Sequence, residues 1–124
     1  MARVPRISDA EWQVMQVLWV DAPLTANQIV QMLAPDSGWN PRTIKTMLNR
    51  LVNKGALKFE TEGKRYLYRP AVSRDACVRG ESRSFLQRVF GGQVGPMLAH
   101  FVEDRKLSKA EIDQLKRLLD GKDR

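Results

Sequence analysis

A mainly α fold carrying one small β-hairpin is predicted for this 124-residue chain by three features of its sequence. Helix-opening signatures recur at Ser8, Thr25 and Ser108, each followed three residues on by Glu or Gln, so that cap and third residue satisfy each other's amides. Apolar residues then repeat at helical spacing through most of the chain. Between Leu57 and Pro70 the period shortens to two, which is the spacing of a strand.

The first helix opens at the Ser8-Asp9-Ala10-Glu11 box, carries Trp12, Met15, Val17, Leu18 and Trp19, and stops before Asp21-Ala22-Pro23. Core packing is the expected use of Trp12 and Trp19, rather than stacking on single strands. A second, shorter helix starts at Thr25 and buries Ile29, Val30 and Leu33, and Ala34 to Gly38 reads as a loop by composition. Asn40 caps the third helix, Pro41 suits its first position and Gly55 the residue past its end. Within it Ile44, Met47, Leu48, Leu51 and Val52 form one buried stripe. Trp39, just before the cap, is placed to staple against Thr43 or the next turn. Leu57, Phe59 and Thr61 then alternate with Lys58 and Glu60, Glu62-Gly63-Lys64 turns, and Tyr66 and Tyr68 return toward Pro70. Three helices followed by a hairpin is the order of a winged helix-turn-helix.

The boundary is expected between Pro70 and Ser73, dividing a winged-helix region, 1–72, from a helical region, 73–124. A long helix from Ser73 to Phe90 presents Val78, Phe85, Leu86, Val89 and Phe90 and is closed by Gly91-Gly92. A shorter one holds Met97, Leu98, Phe101 and Val102, with Pro96 near its first turn. The last begins at the Ser108 box, carries Ile112, Leu115, Leu118 and Leu119, and is expected to stop at Gly121. These helices have apolar faces but too little bulk to cover them alone. A dimer is the economical cover, which makes this a dimerisation region.

Charge is where function becomes legible. The chain carries a net +7, and between Pro41 and Arg69 eight cations (Arg42, Lys45, Arg50, Lys54, Lys58, Lys64, Arg65, Arg69) face only Glu60 and Glu62. No acid lies between Asp36 and Glu60. On the third helix Arg42, Thr46, Asn49, Arg50 and Asn53 point away from the buried stripe, flanked by Thr43 and Lys45. A major groove admits one helix and offers base edges between two rows of phosphates. A face of cations, amides and hydroxyls meets both demands, and carboxylates would be repelled. Arg42, Thr43 and Thr46 lie in the turns that approach bases: Arg42 can pair bidentately with guanine, and Thr43 can set its methyl on thymine. Asn49 and Arg50 can reach bases or phosphates. Lys45, Lys54, Lys64 and Arg65 suit phosphates.

Other function classes find no support. Cys77 and His100 are the only residues of their types, which excludes an intrachain disulfide and a multi-cysteine metal cluster. No nucleophile–base pair, metal-ligand spacing or phosphate-cradling glycine loop is present, so neither an enzyme nor a cofactor or small-molecule substrate is expected. No apolar run approaches the roughly 18 residues of a membrane helix, and a soluble, cytoplasmic protein is expected.

Four stretches together resemble the penicillinase-repressor family. They are Glu11-Trp12-x-Val14-Met15-x-x-x-Trp19; Trp39-x-Pro41-Arg42-Thr43-Ile44-x-Thr46-x-x-x-Arg50-Leu51-x-x-Lys54-Gly55; Tyr66-x-Tyr68; and Phe101-Val102-Glu103 ahead of Leu107-Ser108. The resemblance implies a homodimeric transcriptional repressor whose N-terminal winged helix binds an operator dyad and whose C-terminal helices dimerise. It gives Arg42, Thr43, Thr46 and Arg50 the groove-facing role. In the antibiotic-responsive branch a membrane sensor metalloprotease triggers cleavage before a Phe, here at His100-Phe101. Well-known members carry Asn where this chain has His100, and plain core packing of Leu98, Phe101 and Val102 is the competing reading. The paired Cys-x-Cys motifs of the copper-responsive branch are missing, which rejects copper sensing by that route.

Two readings of other classes remain open at this level. The basic helix can dock an acidic protein partner, which predicts no selectivity among duplexes. It can also serve non-specific architectural DNA binding, which predicts affinity with a small specificity ratio.

Overall fold

The computed structural model describes residues 4–122. They form two compact units, one ending at Glu81 and the other starting at Ser82. In the first, α1 (Asp9–Val20) opens on the expected box: Ser8 Oγ accepts from the Glu11 amide at 3.2 Å while the Ser8 amide donates to Glu11 Oε1 at 2.9 Å. The same reciprocal pair, Thr25 with Gln28, opens α2 (Ala26–Ser37).

Here the expected loop is corrected, because α2 runs through Pro35 to Ser37. Proline removes one amide donor, but its fixed φ is helical and the remaining bonds of the last turn close around it. The Ser37 hydroxyl donates to the Leu33 carbonyl at 2.7 Å, and the Gly38 amide donates to Ala34 at 3.1 Å. Composition marked the proline and glycine without showing that the helix absorbs the first and ends on the second.

Next come α3 (Pro41–Lys54), then β1 (Leu57–Glu62) and β2 (Arg65–Pro70), paired antiparallel from Leu57 with Pro70 to Glu62 with Arg65. Leu24, in the connection between α1 and α2, exchanges both backbone hydrogen bonds with Tyr68, adding a one-residue third rung to the hairpin. The core lies between the three helices and the hairpin. Val14, Met15, Leu18, Ile29, Ile44, Leu48 and Leu51 are fully enclosed, and each such side chain contributes about 1.5–3 kcal/mol. Trp12 and Trp19 meet edge to face at 5.4 Å against this core, as expected of packing residues.

The start of α4 (Arg74–Phe90) belongs to the first unit, because Cys77 is buried in that core and the Trp19 indole donates to the Val72 carbonyl at 3.0 Å. Burial, then the nearby Glu81 charge, pushes the Cys77 thiol up, as befits a small core residue.

The second unit holds the rest of α4, then α5 (Val94–Glu103) and α6 (Lys109–Lys122). The helix α6 passes through Gly121, where a stop was expected. An exposed glycine near a helix end costs only about 1 kcal/mol and need not terminate it. Among its described residues none is fully buried, so this unit has no closed core of its own.

Candidate nucleic-acid interface

The third helix is held at both ends by its sequence. Asn40 Oδ1 accepts from the Thr43 amide at 2.9 Å with Pro41 in the first turn, and Gly55, at φ 85°, turns the chain out toward β1. Its apolar stripe (Ile44, Met47, Leu48, Leu51) is buried and Val52 half-buried, which fixes what faces outward. Arg42, Thr43, Lys45, Thr46, Asn49, Arg50 and Asn53 are all exposed. Among the described residues no acid lies within ion-pairing distance of Arg42, Lys45 or Arg50. The first turn carries no carboxylate, so its free amides and the helix dipole add positive potential where a duplex would enter. Six of the nine expected DNA-facing residues therefore share one uncompensated surface.

Thr46 is already engaged in one direction: its hydroxyl donates to the Arg42 carbonyl at 2.9 Å. What it can still present is its methyl group and an acceptor lone pair. Lys64 and Arg65 sit exposed at the hairpin tip, Arg65 loosely paired with Glu62 at 3.3 Å and Lys64 with no acid in reach among the described residues. Arg69 lies 3.4 Å from Glu60 but too poorly aligned for a hydrogen bond.

Lys54, expected to meet a phosphate, differs from the other cations of α3 in having partners within the fold. Its ammonium, on a partly exposed side chain, donates to Glu11 Oε1 and, at 3.0 Å, to the Arg6 carbonyl. Glu11 is 2% exposed. Burial alone would raise its carboxyl, but the hydrogen bonds from Lys54 and from the Ser8 amide and hydroxyl, with the Lys54 charge, outweigh this and hold it below the usual value. Charge patterning counts cations along a helix and is blind to an acid 43 positions away.

A cleft of about 360 Å³ also escaped the sequence reading; it lies between the start of α2 and the hairpin, with Asn27, Lys64, Arg65 and Tyr66 among its lining residues. The Leu24–Tyr68 bridge brings these two stretches together, and no periodicity announces a single-residue rung. Its cations and amide suit an anionic backbone.

Within the second unit, Phe85, Leu86, Val89 and Phe90 lie on α4, Leu98, Phe101 and Val102 on α5, and Ile112, Leu115, Leu118 and Leu119 on α6. Phe85 and Phe101 flank an apolar cleft of about 380 Å³, with Leu86 and Met97. Leu118 and Leu119 are 61% and 58% exposed. The His100-Phe101 bond is inside α5, with the His100 carbonyl bonded to Asp104, so a protease would need that turn to open.

Known proteins align with nearly all of this. The Penicillinase repressor of Bacillus licheniformis is 38% identical over 97% of this chain and 94% of its own length. The Methicillin resistance regulatory protein MecI of Staphylococcus aureus is 32% identical, covering 94% of each. The solution structure of the DNA-binding domain of the repressor BlaI superposes with a TM-score of 0.56 at 41% identity, covering 61% of this chain and 93% of that one. The Bacillus licheniformis BlaI monomeric form, solved in complex with the blaP half-operator, gives 0.54 at 41% identity and the same coverage. Because the profile of the Penicillinase repressor family matches residues 7–121, the chain belongs to that family.

Proposed function

We propose that this chain is a homodimeric, cytoplasmic transcriptional repressor that places α3 of each protomer in successive major grooves of an inverted-repeat operator. The observation that carries it is the exposed, carboxylate-free face of α3, on a domain like the one solved in complex with a half-operator. In this reading residues 1–72 bind DNA and the helical region 73–124 pairs the protomers. The part from Ser82 on supplies the pairing surface, while the start of α4 packs into the winged-helix core. Arg42, Thr43 and Thr46 meet base edges, Asn49 and Arg50 bases or phosphates, and Lys45, Lys64 and Arg65 phosphates. Each neutralised phosphate releases counterions, so binding weakens steeply with salt. Two linked half-sites, with centres about 34 Å or a multiple apart, multiply an affinity that one half-site leaves modest.

The relatives' names support control of resistance genes. Inactivation by a membrane sensor metalloprotease pathway belongs to the same reading, since cutting at His100-Phe101 would part α6 from the rest and uncouple the half-sites. Family membership makes this a regulator and not an enzyme.

The test is titration with the DNA upstream of its own gene, against a scrambled duplex of equal length, at two salt concentrations. A preference on the order of a thousandfold, lost with salt, is expected. Equal binding to both duplexes would favour an architectural role; no binding to either would favour a protein partner.

A further inference from the structure

The Glu11–Lys54 pair, a buried carboxylate met by a partly exposed ammonium, joins three pieces of chain distant in sequence. Lys54 is the last residue of α3, Glu11 lies in the first turn of α1, and Arg6, whose carbonyl takes the second ammonium bond, belongs to the segment before the Ser8 cap. The Glu11 carboxylate is shared with the Ser8 amide. An ion pair whose ammonium stays partly in water adds little net stability, and even fully buried pairs are often replaced by apolar side chains without loss. What it supplies that an apolar contact does not is direction. The stripe from Ile44 to Leu51 fixes which face of α3 is outward, yet side-chain ridges can settle at crossing angles scattered by about 15–20°.

Leverage makes the angle matter. Lys54 and Arg42 stand at opposite ends of α3, about 18 Å apart at 1.5 Å per residue. A tilt of about 5° at the Lys54 end displaces the Arg42 turn by roughly 1.6 Å, more than the whole 2.7–3.2 Å window in which an N–H···O bond forms. Resting on the DNA-binding reading above, we propose that Glu11 is a positioning residue for sequence recognition: through Lys54 it sets the angle at which α3 presents Arg42, Thr43 and Thr46 to the bases. Lys54 itself contacts no phosphate.

Glu11→Gln, Lys54→Met, Lys54→Arg and the double variant Glu11→Gln/Lys54→Met separate this from its rivals. Each is titrated as the full chain with the native upstream duplex and the scrambled one across a salt series, after circular dichroism confirms folding and gives the thermal midpoint. The expected result is that Glu11→Gln and Lys54→Met lower the specificity ratio about tenfold while scrambled-duplex affinity stays within about twofold and the salt slope is unchanged. Lys54→Arg, which can keep the pair, should hold the ratio near wild type. The double variant leaves no unpaired buried charge and is decisive: it should regain the midpoint but not the ratio. A double variant with wild-type specificity overturns the proposal, as does a single variant that loses midpoint alone. A salt slope smaller by about one for Lys54→Met would make Lys54 a phosphate contact and also overturn it. Should the wild type fail to prefer the native duplex, the DNA-binding reading itself fails, a result separate from any of these.

Discussion

Glu11 ties folding to pH. Its carboxyl is held below the ordinary 4.5 because the folded chain donates hydrogen bonds to the charged form, more than offsetting burial. A depressed acid contributes stability that is fully present above its unfolded value and is lost as pH falls through the folded one. Thermal midpoints followed from pH 6 downward should therefore fall more steeply below about 4.5 for the wild type than for Glu11→Gln; identical acid limbs would remove Glu11 from the linkage. At Thr46 the hydroxyl proton is given to the Arg42 carbonyl, which leaves the methyl for a thymine and a lone pair for a donor. Thr46→Ala, which removes that methyl, should accordingly relax base preference at one position by about 0.8 kcal/mol, with Thr46→Val, which keeps it, closer to wild type. Lys64→Ala should weaken all duplexes alike and lower the salt slope by about one. Equal, sequence-independent losses at Thr46 and Lys64 would sink this division of roles. The exposed face was legible residue by residue because helical periodicity determines it. The pairing of Lys54 was not, since periodicity places it on the surface, where it stands, and is silent about the partner Glu11 that the fold brings to it.

Among the elements, the helices were legible wherever caps and apolar stripes agreed. Both capping boxes of the first unit, the Asn40 cap and the buried stripe of α3 were readable from short-range chemistry, and so was the hairpin from its change of period. What could not be read was how neighbouring elements borrow from each other. The last turn of α2 survives Pro35 because Ser37 and Gly38 close it, and Leu24 becomes a strand residue only when Tyr68 is beside it. Gly55 joins the two modes of structure: its φ of 85° lets α3 end and β1 start within two residues, and no heavy atom stands within 4 Å of where a side chain would begin. Gly55→Ala should thus cost strain without collision, about 1 kcal/mol, or a midpoint lower by about 4–8 °C in a domain of this size. An unchanged midpoint would show that the turn relaxes freely.

At the scale of the molecule, the two units differ in whether they close. The first encloses fourteen apolar side chains from all its elements, while the described residues of the second leave Phe85, Val89, Phe101, Val102, Leu118 and Leu119 exposed. Large apolar side chains stand exposed on all three helices, and a second copy would cover them under the dimeric reading. That makes Leu118 and Leu119 informative, because a charge there meets water in the monomer and a desolvated surface in the dimer. Leu118→Glu/Leu119→Glu should keep its helical circular dichroism yet sediment at the 14.2 kDa of one chain. Its affinity for a single half-site duplex should stay within about twofold, since α3 is untouched, while binding to the full operator should fall by 10²–10⁴, roughly the gain that linking two sites provides. The pairing of outcomes matters more than either alone. A variant that stays dimeric places the interface elsewhere on the second unit; one that becomes monomeric yet binds the full operator undiminished shows that repression needs one winged helix at a time, and the dimer would then serve another end.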